Sequence, residues 1–149
     1  MARPWVLLCM MPGLAMVPTA AAAQIIGTAM YQGCIDLSGK NRVSVTGRAV
    51  FRHFAGPPNY ESIAGGDRDE TRYIITVRNS VCIHDEEGFA DPKEQVSDVE
   101  IDVFNNPRLE ANLRAARGRI VTVEGVGNGP MTGHDHGSLM IDAASVIVR

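Results

Sequence analysis

The chain has 149 residues, enough for one domain rather than two, and 45% of them are hydrophobic, enough to bury a core. Its formal net charge of −3 and the lack of a basic, aromatic-rich stretch argue against binding a phosphate backbone. No basic amphipathic segment suits an anionic membrane surface.

The first residues have the pattern of a secretory signal peptide. Arg3 is a short positive region, Trp5 to Val17 an apolar run, and Ala20 to Ala23 offer small residues for cleavage. The apolar run is shorter than the ~20 residues a membrane-spanning helix needs. Residues 1–23 are therefore expected to be removed, and 24–149 to form one domain that is periplasmic or secreted and not inserted in a membrane. Cys9 and Trp5, the only tryptophan, leave with the leader. Cys34 and Cys82 remain, and an even pair in an exported protein predicts a disulfide, with two buried free thiols as the alternative.

Gln24 to Ser38 is a lead-in that carries Cys34. Arg42 to Phe51 alternates apolar and polar residues as a half-buried strand does, and Gly47 interrupts it where a bend is expected. Phe54 to Asp69 reads as a long loop, because Pro57-Pro58 and Gly65-Gly66 exclude regular structure. Thr71 to Val77 is the second strand, extended through Ser80–Ile83 after a kink at Asn79. His84 to Gln95 is polar and acidic and reads as a loop. Val96 to Phe104 is the third strand, with Val99, Ile101 and Val103 on one face and Val96 and Phe104 on the other.

Asn106 and Pro107 are suited to the N-cap and first position of a helix on which Leu109, Leu113 and Ala116 recur at helical spacing, with Gly118 just beyond its end. Arg119 to Gly125 and Leu139 to Val148 are the last two strands. Ser44 and Thr122 fall on the solvent side of their alternations. The order strand, strand, strand, helix, strand, strand predicts a mainly β fold: a small five-stranded OB-like barrel with one short helix between strands 3 and 4. A small β-sandwich with one helix is the alternative. Val43, Val45, Ile101, Val103, Val121 and Val123 should line the barrel, with Leu109 and Leu113 facing it from the helix.

GPPNYESIAGGDRDETRYII (Gly56 to Ile75), the cysteine of SVCI, GRIVTVEG (Gly118 to Gly125) and GHDHGSLMID (Gly133 to Asp142) resemble the bacterial family called domain of unknown function 4431. The resemblance covers about Cys34 to Ala143 and implies a small exported domain of unassigned activity. The chain departs from the family in its last loop, where Asp135 separates His134 from His136 and adjacent histidines are expected.

Ligands of OB barrels lie across the strand 2–3 face, framed by the 1–2 and 4–5 loops. Here those loops are Phe54–Asp69 and Val126–Ser138. Tyr60, Asp67, Glu70, His134 and His136 are therefore the candidate ligand-binding residues, expected to meet at one cleft. Their partner would be a small ligand or a periplasmic protein.

His134 and His136, with Asp135 and Met131 or Met140, suit a zinc or copper site if His53, His84 or Asp67 completes it. A metal-dependent hydrolase centred on that site is a rival reading, and a secreted inhibitor or immunity-type protein is another. No nucleophile, base and oxyanion set can be named, so no catalytic residue is assigned. Asp67 has a second reading, as a brace for the turn after Gly65-Gly66.

Overall fold

The computed structural model describes residues 28–91 and 93–149. The expected leader, residues 1–23, lies outside them. Strands β1 (Met30–Tyr31) and β2 (Cys34–Asp36) are followed by β3 (Arg42–Ala55), β4 (Asp69–Val81), β5 (Ile83–His84) and β6 (Val96–Asp102). The helix α1 (Pro107–Ala115) leads to β7 (Ile120–Asn128) and β8 (Met140–Val148).

Five strands close a barrel in the order β3-β4-β6-β8-β7, with β7 returning to β3. All the pairs are antiparallel except β6 with β8. This is the OB-like barrel expected from the element order, and its helix lies between the third and fourth barrel strands.

β3 makes closure work. Residues Arg42 to Arg48 pair with β7, and Arg48 to Ala55 pair with β4. Gly47 sits where the strand turns from one neighbour to the other, and a Cβ there would land on the Thr76 carbonyl. Only glycine fits so close an approach. Gly125 does the same on β7, at the irregularity between Glu124 and Gly125, where a Cβ would strike the Asp142 carbonyl.

The alternating apolar positions fill the barrel. Val43, Val45, Val121, Val123 and Ile101 are buried as expected, and Val103 packs half-buried against them. Asn106 caps α1 through the Leu109 N–H, and Pro107 occupies its first turn. Leu109 and Leu113 point inward and Ala116 seals the same end. Gly118 takes a positive φ of 78°, but it lies two residues past the capping Ala116 rather than one.

Four expectations need correction. Val96, read on the face away from Val99, is buried and joins the same core cluster. Strand β6 stops at Asp102, whose carboxylate accepts the Phe104 N–H and starts a turn. Strand β4 runs through Asn79 with its pairing to β6 irregular between Thr76 and Val81, but it ends at Val81, and Ile83 belongs to β5 instead. Ser44 and Thr122 point out of the barrel yet are buried. Thr28 covers Ser44, and the Thr46 hydroxyl and the Arg149 guanidinium cover Thr122.

Part of the lead-in is ordered. β1, β2 and β5 form a separate three-stranded sheet, in which β2 runs parallel to β5. Cys34 and Cys82 are disulfide-bonded with Cα atoms 4.7 Å apart. Ile35 and Ile83 from this sheet join the barrel core. Among the described residues no helix is long and apolar enough to cross a membrane.

Candidate functional site

The first long loop spans residues 56–68, since β3 continues to Ala55. Its shape is held by Asp67. That carboxylate accepts the backbone N–H groups of Asn59, Glu61 and Ser62 and the Asn59 side-chain amide. The Ser62 N–H leads these bonds in holding the Asp67 carboxyl below its ordinary value, followed by those of Glu61 and Asn59, against the opposing effect of burial. Asp67 thus serves as a brace, but for the Asn59–Ser62 segment ahead of Gly65-Gly66 rather than for the turn after them, with its oxygens occupied within its own loop. Gly56 leaves room for the Glu70 side chain, which a Cβ would meet. Tyr60, at a positive φ of 60°, carries its phenol out toward the second loop.

The second loop, residues 129–139, folds back over the outer face of β4 and β6. Asp135 shapes it by accepting the N–H groups of Met131 and Thr132. Glu100 anchors it: this carboxylate on β6 is 2% exposed and accepts the N–H groups of His136 and Gly137 at 2.8 and 3.0 Å. Arg72 links the anchors, donating to Glu70 at 3.0 Å with its Nε 3.4 Å from Glu100. Ser138 adds a bond to Glu94.

His134 joins the two loops. Its Nδ1 lies 2.9 Å from Glu70 and its Nε2 3.1 Å from the Tyr60 hydroxyl. A carboxylate only accepts, so in the neutral ring Nδ1 carries the proton and Nε2 takes the Tyr60 O–H. Burial by itself raises the Glu70 carboxyl, but the His134 hydrogen bond and the charges of Arg72 and His134 outweigh it and leave Glu70 below its ordinary value. His136 goes elsewhere: its ring stacks on Phe54 at 4.0 Å. Its Nε2 is buried without a hydrogen-bond partner in the protein.

The loops therefore touch, and a histidine of one has polar partners at the other, as the barrel topology predicted. Glu70 supplies its contact from the first residues of β4 rather than from the loop itself. The two histidines do not act as a pair. The segment is a loop, and each ring has its own neighbours. His53 pairs with Asp69, and His84 stacks on Tyr31. Among the described residues no group of three or more His, Cys, Asp or Glu side chains is placed to hold a metal ion. This leaves the zinc or copper reading of His134 and His136 without a ligand set.

An open concavity lies on the other side of the second loop. It is a cleft of about 580 Å³ between that loop, the turn after β2, the acidic segment after β5 and the turn after β6. Its apolar lining includes Phe89, Phe104, Met131 and Met140. Its carboxylates are Asp85, Glu87, Asp102, Asp135 and Asp142, and its cations are Lys40 and Arg72. Of the five expected ligand residues only His134 reaches this cleft; Tyr60, Asp67, Glu70 and His136 do not line it.

Asp142 hydrogen-bonds the Asn128 amide at 2.9 Å. Burial pushes its carboxyl above the ordinary value, and the charges of Asp102 and Asp135 add to that against the Asn128 hydrogen bond.

Sequence reading missed Glu100 and the cleft. Glu100 stands between Val99 and Ile101 in an alternating strand, which reads as a solvent position. The acidic residues of the cleft come from separate stretches, with no spacing to connect them. No protein-family model matches the chain, and no curated protein or solved structure matches it.

Proposed function

We propose that this protein is an exported, non-catalytic binding domain whose site is the cleft beside the second loop. The observation that carries the reading is the placement of that loop. Glu70, Glu100 and Tyr60 hold it against the strand β4–β6 face, where OB barrels usually receive their ligands. Its other side borders a concavity within the usual size range of ligand sites.

Export is supported by the leader pattern of residues 1–23, by the Cys34–Cys82 disulfide, and by the resemblance to domain of unknown function 4431. Among the described residues no nucleophile with its base can be named, which favours binding over catalysis.

Two measurements test this. A reporter fused after Ala23 should be exported, and retention in the cytoplasm contradicts the localisation. Isotope-labelled protein titrated with libraries of fragments and short peptides should give its largest amide shifts at Gly127, Gly129, Thr132 and Asp135. Shifts concentrated on α1 or on the β3–β7 surface would contradict the cleft as the site.

A further inference from the structure

The cleft differs from a small-molecule pocket in where its large apolar side chains stand. Phe104 and Met131 are each 67% exposed and Phe89 is 50% exposed, yet all three border the same concavity. A site for a small ligand encloses most of that ligand and has its apolar lining largely covered. Half-exposed apolar side chains around a rim are covered when a surface broader than the cleft comes down on them.

Charge is the second observation. Among the described lining residues five carboxylates face two cations. One of the cations, Arg72, already bonds Glu70 and lies beside Glu100. Burial raises the Asp142 carboxyl most, and the charges of Asp102 and Asp135 raise it further, against the Asn128 hydrogen bond and the Lys40 charge. A partner bringing positive charge would relieve this repulsion, whereas a neutral one would desolvate carboxylates without pairing them.

We infer that the cleft receives a segment of a partner protein in which lysine or arginine flanks an aromatic or aliphatic side chain. The apolar side chain lies among Phe89, Phe104 and Met131, and the cation faces Asp102, Asp135 and Asp142. This deepens the binding reading above and rests on it. A small organic cation would meet the charges but leave the apolar rim in water.

The test uses three peptides of equal length around one tryptophan and one leucine, flanked by lysine, glutamine or glutamate. Each is titrated into the labelled protein, with spermidine as a fourth probe. The lysine peptide should bind at least tenfold more tightly than the glutamine peptide and shift the cleft amides, and the glutamate peptide should not bind. The triple variant Glu87→Gln, Asp102→Asn, Asp135→Asn should lose that tenfold preference. Asparagine keeps the oxygens that accept the Phe104, Met131 and Thr132 N–H groups, so the loops stay formed. Separately, Phe104→Asn with Met131→Ser should weaken the lysine and glutamine peptides alike.

Equal binding of all three peptides in the cleft would overturn the charge requirement and leave the cleft reading standing. Cleft shifts from spermidine with no tighter binding of the lysine peptide would overturn the protein segment. Binding of the lysine peptide elsewhere, or no binding, would overturn the inference, while the wider libraries judge the cleft independently.

Discussion

The barrel interior is buried and the strand β4–β6 face is covered by the second loop, but opposite chemistry holds them. The interior is filled by Val43, Val45, Ile75, Val99, Val121 and Ile141, which need only to fit. The covered face is held by Glu70, Arg72, Glu100 and His134, which need correct hydrogen-bond geometry. Apolar packing is non-directional and spreads over the whole core. Buried carboxylates fix a few backbone groups and leave a large penalty if they are lost. Damage inside the barrel should therefore lower the stability of the whole domain. Damage to the cover should free one loop and leave the barrel closed.

The largest expected effect tests the first half. Replacing Cys34 and Cys82 by serine opens a cross-link with a sequence separation of 48, which costs about 4 kcal/mol in the chain-entropy description. Ile35 and Ile83 tie the small sheet to the core, so the loss should appear as a lower midpoint for the whole unfolding transition. A local loosening with an unchanged midpoint would mean that the small sheet is independent of the barrel.

Leu113→Ala should follow, at about 3 kcal/mol, because a fully buried side chain leaves a cavity that a closed barrel cannot collapse. A loss below about 1 kcal/mol in urea unfolding would show that α1 does not plug the barrel end.

Asp142→Asn sharpens the comparison from the polar side. The Asp142 carboxyl is raised by burial first and then by Asp102 and Asp135, so the folded protein holds its proton more tightly than the unfolded chain does. Its favourable contribution is complete below the ordinary value of 3.8 and is lost as pH rises through the raised value. The charge is thus unfavourable at neutral pH. The substitution should raise the melting temperature near pH 7 and leave it nearly unchanged near pH 3. The reverse pattern would mean that the acidic cleft does not strain the fold.

Tyr60→Phe is the smallest change. It removes one partly exposed hydrogen bond to His134 and should cost less than about 1 kcal/mol. It should alter the His134 ring signals while leaving those of Val45 and Val123 alone. An unchanged His134 spectrum would mean that the loops do not meet in solution.

How far these features could be read from the sequence follows the same division. The run Val43-Ser44-Val45-Thr46-Gly47 and its counterpart at Val121 to Gly125 carry the barrel in their alternation, and Asn106-Pro107 marks the helix start. The meeting of His134 with Glu70 and Tyr60 followed from topology, because an OB barrel brings those two loops together.

Glu100 was not legible. Its position in the strand points it outward, and it is buried by residues 36 and 37 positions further along the chain. The same is true of Ser44 and Thr122, which Thr28 and Arg149 cover from the two ends of the described chain. β1, β2 and β5 are two or three residues long, too short for a period to show. The cleft depends on where four separate connecting segments come to rest, which no local pattern records.

The second loop should behave as a fixed wall, closed on the barrel face and open toward the cleft. Backbone hydrogen exchange at His136 and Gly137 tests it most directly. Both N–H groups donate to the buried Glu100 carboxylate, so they should exchange slowly in the wild-type protein. In Glu100→Ala they should approach the rate of an unstructured chain, at a cost of about 2 kcal/mol, while the amides of Val45 and Val123 keep their protection. Rapid exchange at His136 and Gly137 in the wild-type protein would contradict the account.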